Sequence, residues 1–142
     1  MIIVFDIDGT LSKVGDRVKC LEQTPPNWDE FYDRCDEDEP CWPVINTYQA
    51  LLDNGHDMIL LTGRRESTRQ KTANWLLKNG VHCYSTLLMR RDGDYRHDTI
   101  IKPEILSIFN IRPDLVFEDR SSMVKMWREN GITCFQVAEG EF

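Results

Sequence analysis

Short apolar runs that alternate with amphipathic segments constrain the fold of this chain more than any other feature. Residues 2–5, 58–61 and 115–117 are apolar runs of strand length, which is typical of strands buried on both faces. Between the first two runs, apolar residues recur at helical spacing over residues 44–52. Strands that alternate with helices favour a parallel sheet with helices on both faces. The sequence therefore predicts one α/β domain over residues 1–142.

The remaining elements follow from the same patterns and from helix start and stop signals. We predict further helices over residues 66–78, from Pro103 onward and after Ser121 or Ser122, and further strands over residues 85–89 and 133–137.

Polar side chains follow three of the apolar runs where each strand is predicted to end. Asp6 and Asp8 follow the first run, Thr62-Gly63-Arg64 follows the second, and Glu118-Asp119 follows the third. In a parallel sheet these ends lie on one edge, where open α/β folds bind their ligands. Lys102 precedes a predicted helix and can reach the same edge. The sequence therefore gathers acids, a hydroxyl and cations around one point.

These residue types favour phosphoryl transfer. The side chains of Asp6 and Asp8, two positions apart, point to one face, and Gly9 allows a sharp turn. By itself this stretch is equally typical of a polar turn. Paired acids also suit a hard divalent cation, and one of them can act as a nucleophile. A carboxylate that attacks a phosphate is repelled by its negative charge, and a metal ion with cationic side chains offsets this repulsion. We therefore predict a Mg²⁺-dependent site.

One segment, residues 13–41, interrupts the alternation of strands and helices. A loop of this length in a compact domain is usually functional. We predict a small lid beside the active edge, with a short helix near residues 28–34. Two interpretations of its aromatic residues Trp28, Phe31 and Tyr32 stay open: they stack on a nucleobase, or they pack against the domain.

The formal net charge of −7 argues against a long nucleic-acid footprint, since proteins that bind long nucleic acids usually carry a basic surplus. A nucleic-acid substrate would be held locally, at an end or as a nucleotide. Basic residues nevertheless form two groups, Arg64, Arg65, Arg69 and Lys71, and Arg90, Arg91, Arg96 and Lys102. Within them, Arg65, Lys71 and Arg91 are interpreted as solvated surface.

The sequence also indicates the cellular compartment of the protein. No apolar run approaches the roughly 18 residues of a membrane span, and Met1 leads into the first strand without a signal-peptide pattern. Five cysteines without a Cys-x-x-Cys pair favour free thiols in a reducing environment. We therefore expect a cytoplasmic protein that makes no contact with a membrane.

Four motifs together resemble the haloacid dehalogenase superfamily of phosphatases: Asp6-Ile7-Asp8-Gly9-Thr10, Thr62-Gly63-Arg64, Lys102 and Glu118-Asp119. The resemblance covers essentially the whole chain and implies a Rossmann-like fold. It implies that Asp6 is a nucleophile that becomes an aspartyl-phosphate and that Asp8 is the general acid and base. It implies that Thr62 and Lys102 bind the transferring phosphoryl group. The implied Mg²⁺ ligands are Asp6, Asp8 through its backbone carbonyl, Asp119 and, in support, Glu118.

A narrower resemblance is to the phosphatase domain of bacteriophage polynucleotide kinase/phosphatase, which removes 3′-phosphates from nucleic-acid ends and nucleotides. The stretches that carry it are residues 61–64, 89–98, 102, 118–120 and 126–128, together with the C-terminal residues Gly131, Cys134, Gln136-Val137-Ala138, Gly140 and Phe142. The substrate-side or supporting residues that it implies are Thr10, Arg17, Gly63, Arg64, Arg90, Arg96 and Asp98. The chain departs from that family in two ways. The segment 13–41 is longer than the corresponding segment of the family. The chain also has no Gly-x-x-x-x-Gly-Lys-Ser/Thr loop, so we expect no kinase domain within it.

The sequence thus predicts a Mg²⁺-dependent phosphomonoesterase that acts on the 3′-phosphate of a nucleotide or a nucleic-acid end. Two alternatives remain open. A 5′-nucleotidase acting on free mononucleotides would use the same catalytic residues. A Mg²⁺-dependent binding module would keep the fold without turnover, and release of phosphate from an aryl phosphate would distinguish the enzyme from it.

Overall fold

A parallel five-stranded sheet forms the centre of the protein. The computed structural model describes residues 1–140, so the last two residues of the predicted domain lie outside it. In chain order the strands of this sheet are β1 (Ile2–Phe5), β4 (Asp57–Arg65), β5 (Thr86–Arg90), β6 (Leu115–Arg120) and β7 (Thr133–Gly140). Their spatial order is β5-β4-β1-β6-β7, and every neighbouring pair is parallel. The predicted parallel sheet is confirmed.

Two helices cover each face of this sheet. The helices are α1 (Trp28–Asp33), α2 (Trp42–Asp53), α3 (Arg69–Lys78), α4 (Asp98–Ile108) and α5 (Ser121–Glu129). Side chains alternate along β1, so Ile3 and Phe5 belong to one apolar core and Val4 to the other. Buried residues of α2 and α3 complete the first core, and those of α4 and α5 complete the second. None of the helices in residues 1–140 is long and apolar enough to cross a bilayer.

The predicted helix start at Pro103 is wrong. Helix α4 begins at Asp98, and the ring nitrogen Nδ1 of His97 accepts a hydrogen bond from the backbone N–H of Thr99. Proline removes one backbone donor, which makes a helix start at that residue attractive. Here the helix begins five residues ahead of Pro103, which lies in its interior. As a consequence Lys102 lies inside the helix and not ahead of it.

The segment that interrupts the alternation returns to its starting point. Two short antiparallel strands, β2 (Ser12–Lys13) and β3 (Glu39–Pro40), pair the beginning of this segment with its end. Between them lie 3₁₀ turns over Asp16–Glu22 and Cys35–Glu37 and the helix α1, which matches the short helix expected near residues 28–34. The two ends of this segment are therefore paired with each other beside the carboxyl edge of the sheet.

Candidate active site

The carboxyl ends of β1 and β6 and the helix α4 bring distant charged residues into contact. The Nζ atom of Lys102 lies 2.6 Å from Oδ1 of Asp6 and 3.0 Å from Oε2 of Glu118. On its other side, Asp6 accepts a hydrogen bond of 3.2 Å from the hydroxyl of Thr10. An ammonium and a hydroxyl thus fix both oxygens of the Asp6 carboxylate, which is buried beneath the cavity described below.

Lys102 remains cationic despite its burial. Its side chain is only 2% exposed, and burial alone would lower its pKa. The carboxylates of Asp6 and Glu118 outweigh burial and raise the pKa of Lys102. A permanently charged ammonium at this point can offset negative charge on a phosphoryl group and on its attacker.

Three carboxylates converge beside this ammonium. Asp6, Glu118 and Asp119 each offer an oxygen within 4.8 Å of the others. Burial, followed by repulsion from Glu118, raises the pKa of Asp6, and burial with the hydrogen bond to Glu118 raises the pKa of Asp119 to about 7. The Oδ1 atom of Asp119 is buried without a hydrogen-bond partner among the described residues. Surplus negative charge and an unpaired oxygen suit a hard, oxygen-seeking cation, so these residues fit Mg²⁺.

Gly9 is required for this cluster to form. Its φ is +84°, in the left-handed region, and an added Cβ would lie 2.1 Å from Oδ2 of Asp119. The glycine of the Asp-x-Asp-Gly stretch therefore turns the chain and also leaves room for the carboxylate of Asp119.

Asp8 has an environment opposite to that of Asp6. Its Oδ1 atom lies 2.5 Å from the guanidinium of Arg17 and 2.8 Å from that of Arg64. Burial alone would raise the pKa of Asp8, but Arg64 and Arg17 hold it well below its ordinary range. The pKa of Asp6 is thus raised and that of Asp8 is lowered. Two carboxylates with oppositely shifted pKa values can take different catalytic roles.

Asp38, which sequence reasoning missed, anchors Arg17. Its two carboxylate oxygens accept hydrogen bonds of 2.7 Å each from Nε and one terminal nitrogen of Arg17. The hydroxyl of Ser12 donates to the same carboxylate at 3.0 Å, and the indole N–H of Trp75 donates to the Asp38 backbone carbonyl at 2.8 Å. The segment 13–41 therefore supplies two buried members of the network that holds Asp8.

We expect Asp38→Asn to destabilise the protein and to slow turnover. Arg17 would keep its contact with Asp8 but lose the charge of Asp38, and breaking a buried ion pair typically costs about 3–5 kcal/mol. Urea unfolding gives the stability, and phosphate release gives kcat. Asp36→Asn, an exposed acid in the same turn, is the matched control and should change neither. An Asp38→Asn protein as stable and active as the control would contradict the anchoring role.

Arg90 and Asp98 have structural partners at the cavity wall. The guanidinium of Arg90 donates to the backbone carbonyl of Gly63 at 2.9 Å and forms an ion pair with Asp98. Asp98 also forms an ion pair with Arg120. Gly63 permits this packing, because an added Cβ would lie 2.6 Å from Oδ1 of Asp98. Asp98 thus orients two arginines toward one cavity.

A cavity of about 180 Å³ opens above Asp6 and Asp8. The other predicted site residues in its lining are Gly63, Arg90, Arg96 and Asp98. The remaining predicted site residues lie behind that lining. Thr10 and Lys102 contact Asp6, and Arg17 and Arg64 contact Asp8. Glu118 contacts Lys102, Asp119 contacts Glu118, and the hydroxyl of Thr62 accepts a hydrogen bond from the backbone N–H of Arg64.

The interpretation of Arg65 as solvated surface is wrong. Strand β4 continues through an irregularity after Thr62, so that Arg65 pairs with Arg90 of β5 and lines the cavity. Further lining residues that the sequence did not single out are Asp94, Tyr95, His97 and Arg120. All four lie within the stretches 89–98 and 118–120 that carry the narrower resemblance, and that membership was the signal that the sequence offered.

Fold and site define a phosphoric monoester hydrolase of the haloacid dehalogenase superfamily. The family model of the polynucleotide kinase PNKP phosphatase domain matches residues 1–142, and the chain belongs to that family. The chain is 32% identical over 145 residues to a viral protein described as a bifunctional polynucleotide kinase/RNA ligase, from Autographa californica nuclear polyhedrosis virus. That match covers 95% of this chain and 19% of the relative.

Solved structures agree with this assignment. Two structures of a Pnkp1/Rnl/Hen1 complex, one of them described as an RNA repair complex, contain a chain with 34% identity and TM-scores of 0.82 and 0.81. They cover 99% of this chain and 47% and 43% of those chains, so this chain spans less than half of these relatives. The class C acid phosphatase from Bacillus anthracis shares the fold, with a TM-score of 0.65 at 14% identity over 99% of this chain and 67% of that one.

Proposed function

We propose that this phosphatase removes 3′-phosphates from nucleic-acid ends or nucleotides, in a Mg²⁺-dependent reaction through an aspartyl-phosphate. The observation that carries the mechanism is the placement of Asp6. Its carboxylate is held by Lys102 and lies within one cluster with Glu118 and Asp119, beneath an open cavity. A buried anion at the base of a cavity, flanked by a cation and by a fitting metal site, is what attack on a phosphate dianion requires.

The reaction divides into two displacements. A carboxylate oxygen of Asp6 attacks phosphorus, the bond to the sugar oxygen breaks, and Asp8 gives a proton to that oxygen. Asp8 must be protonated for this step, and the negative charge of an incoming phosphate favours its protonation. Asp8 then takes a proton from water, whose oxygen attacks phosphorus and releases phosphate and free Asp6. The low pKa of Asp8, which Arg64 and Arg17 maintain against the effect of burial, favours its ionised form and so supports this second step.

A cation would be held by Asp6, Asp119 and, in support, Glu118, with the backbone carbonyl of Asp8 as the ligand implied by resemblance. When bound, Mg²⁺ supplies positive charge that neutralises phosphoryl and carboxylate oxygens. The Asp8 carboxylate is committed to Arg17 and Arg64 and is not part of the acid cluster. One structural neighbour, a heptose bisphosphate phosphatase from B. bronchiseptica, was solved with magnesium and phosphate; at 13% identity it shares the fold alone.

Relatives and charge favour a nucleic-acid end as substrate. The neighbouring chain belongs to a complex described as an RNA repair complex, and the viral relative is described as a polynucleotide kinase/RNA ligase. The net charge of −7 argues for contact limited to the terminal nucleotides. Four arginines line the cavity and supply local positive charge: Arg65, Arg90, Arg96 and Arg120. The segment 13–41 is proposed to act as a lid over this region.

The competing function is a 5′-nucleotidase, and the ratio of kcat/KM for a nucleoside 3′-monophosphate and its 5′ isomer separates the two. We expect the 3′ isomer to be preferred and short 3′-phosphorylated single strands to be cleaved comparably to it. Because both isomers carry the same base, sugar and charge, each controls for the other. A tenfold preference for the 5′ isomer, about 1.4 kcal/mol in transition-state binding, would overturn the proposal.

A further inference from the structure

Two tyrosines and an arginine form a stacked cluster at the cavity wall. The guanidinium carbon of Arg65 lies 5.0 Å from the ring centroid of Tyr32 and 5.8 Å from that of Tyr95. Tyr32 belongs to α1 of the segment 13–41, whereas Tyr95 lies in the loop between β5 and α4. All three line the cavity that contains Asp6. The cluster thus joins two separate segments beside the reacting carboxylate.

Packing explains some of the aromatic residues near this cavity but not Tyr95. Phe31 is 2% exposed and lies beneath Arg17, whose guanidinium carbon is 4.3 Å from its ring centroid, so Phe31 belongs to the core of the segment. Tyr95, in contrast, is 80% exposed. So exposed a ring gains little from apolar burial. A large aromatic ring held in solvent beside a phosphatase cavity is better suited to contact with a ligand.

The size of the cavity limits what it can enclose. Its volume of about 180 Å³ is below the roughly 300 Å³ at which pockets begin to enclose drug-sized ligands. A nucleotide that placed its phosphate and sugar above Asp6 would therefore leave its base outside the enclosed space, near the exposed ring of Tyr95.

We propose that Tyr95, with Arg65 and Tyr32 behind it, forms a subsite on which the base of the 3′-terminal nucleotide stacks. This inference rests on the proposed function and adds the recognition of the base to it. Base–aromatic stacking is tolerant of sequence because every base has a π-face, and the guanidinium of Arg65 adds a cation–π contribution. The subsite favours nucleoside 3′-phosphates over phosphate esters that lack a base, and it does not discriminate among the bases.

The test compares a 3′-phosphorylated nucleoside with the base-free deoxyribose 3-phosphate. We expect wild-type protein to prefer the nucleoside by about tenfold in kcat/KM, and Tyr95→Ala to reduce that ratio to near one. Tyr95→Trp, which keeps a stacking surface, should retain the ratio. Phe109→Ala removes a ring that is 59% exposed outside the cavity lining and should leave the wild-type ratio unchanged.

Equal kcat/KM of wild-type protein on the two substrates would refute the subsite, as would a Tyr95→Ala ratio equal to that of Phe109→Ala. Either result leaves 3′-phosphatase activity intact, because both substrates carry the phosphate on the same oxygen. Failure of the proposed function is a separate result, namely preference for the 5′ isomer. In that event the ratio between the preferred nucleotide and its base-free analogue still tests Tyr95.

Discussion

Asp6→Asn is expected to lose phosphatase activity by several orders of magnitude, up to about 10⁶-fold, the scale on which removal of a catalytic nucleophile acts. Asparagine has nearly the same size as aspartate, so the packing around residue 6 changes little. Its amide is neither charged nor nucleophilic. Lys102 would also lose one of its two carboxylate partners, which leaves the ammonium less well placed for a phosphoryl group.

Steady-state release of phosphate from an aryl phosphate measures this loss, and Asp53→Asn at the exposed end of α2 is the control for the charge change. Asp8→Asn separates the two steps, because an aryl leaving group needs no proton. We expect that variant to form the covalent intermediate and to hydrolyse it slowly, so that mass spectrometry of acid-quenched protein detects a phosphoryl adduct. Near wild-type turnover by Asp6→Asn would rule out the aspartyl-phosphate mechanism.

The residues that sequence reasoning placed correctly share a physical property: their position follows from local pattern and parallel-sheet topology. Asp6 directly follows β1 and Asp119 lies at the carboxyl end of β6, and neighbouring parallel strands end on one edge of the sheet. Lys102 lies at the same edge, as predicted, but it projects from the interior of α4 and not from the chain ahead of a helix. The helix boundary was missed because a proline in a helix interior is rare enough to be taken as a helix start.

Residues that were missed depend on contacts without any local signature. Asp38 binds Arg17, which lies 21 positions earlier in the segment 13–41, and its charge is indistinguishable in sequence from those of its exposed neighbours. Arg65 resembles a surface arginine until the irregular end of β4 turns it toward the cavity. Tyr95 carries no helical or strand periodicity at all. Such positions become visible only when the segment 13–41 and the loop before α4 are placed over the sheet.

Removal of divalent cations is expected to abolish activity, and Mg²⁺ or Mn²⁺ should restore it. The acid cluster holds three carboxylates beside the ammonium of Lys102, and burial together with the interactions of Glu118 raises the pKa values of Asp6 and Asp119. A cation that binds the folded protein also stabilises it, by about 2.7 kcal/mol at a concentration of 100 Kd. Calorimetric titration with Mg²⁺ and thermal unfolding therefore test the site independently of turnover.

Asp119→Asn is the sharpest variant for this site, because Oδ1 of Asp119 is the buried oxygen without a hydrogen-bond partner among the described residues. We expect Mg²⁺ to bind this variant at least tenfold more weakly and to stabilise it less, while Asp53→Asn behaves as wild type. Ca²⁺ should bind but inhibit, since its larger and more flexible coordination misplaces the attacking oxygen of Asp6 relative to phosphorus. Full activity after exhaustive chelation, with metal analysis showing none left, would exclude the metal from the reaction.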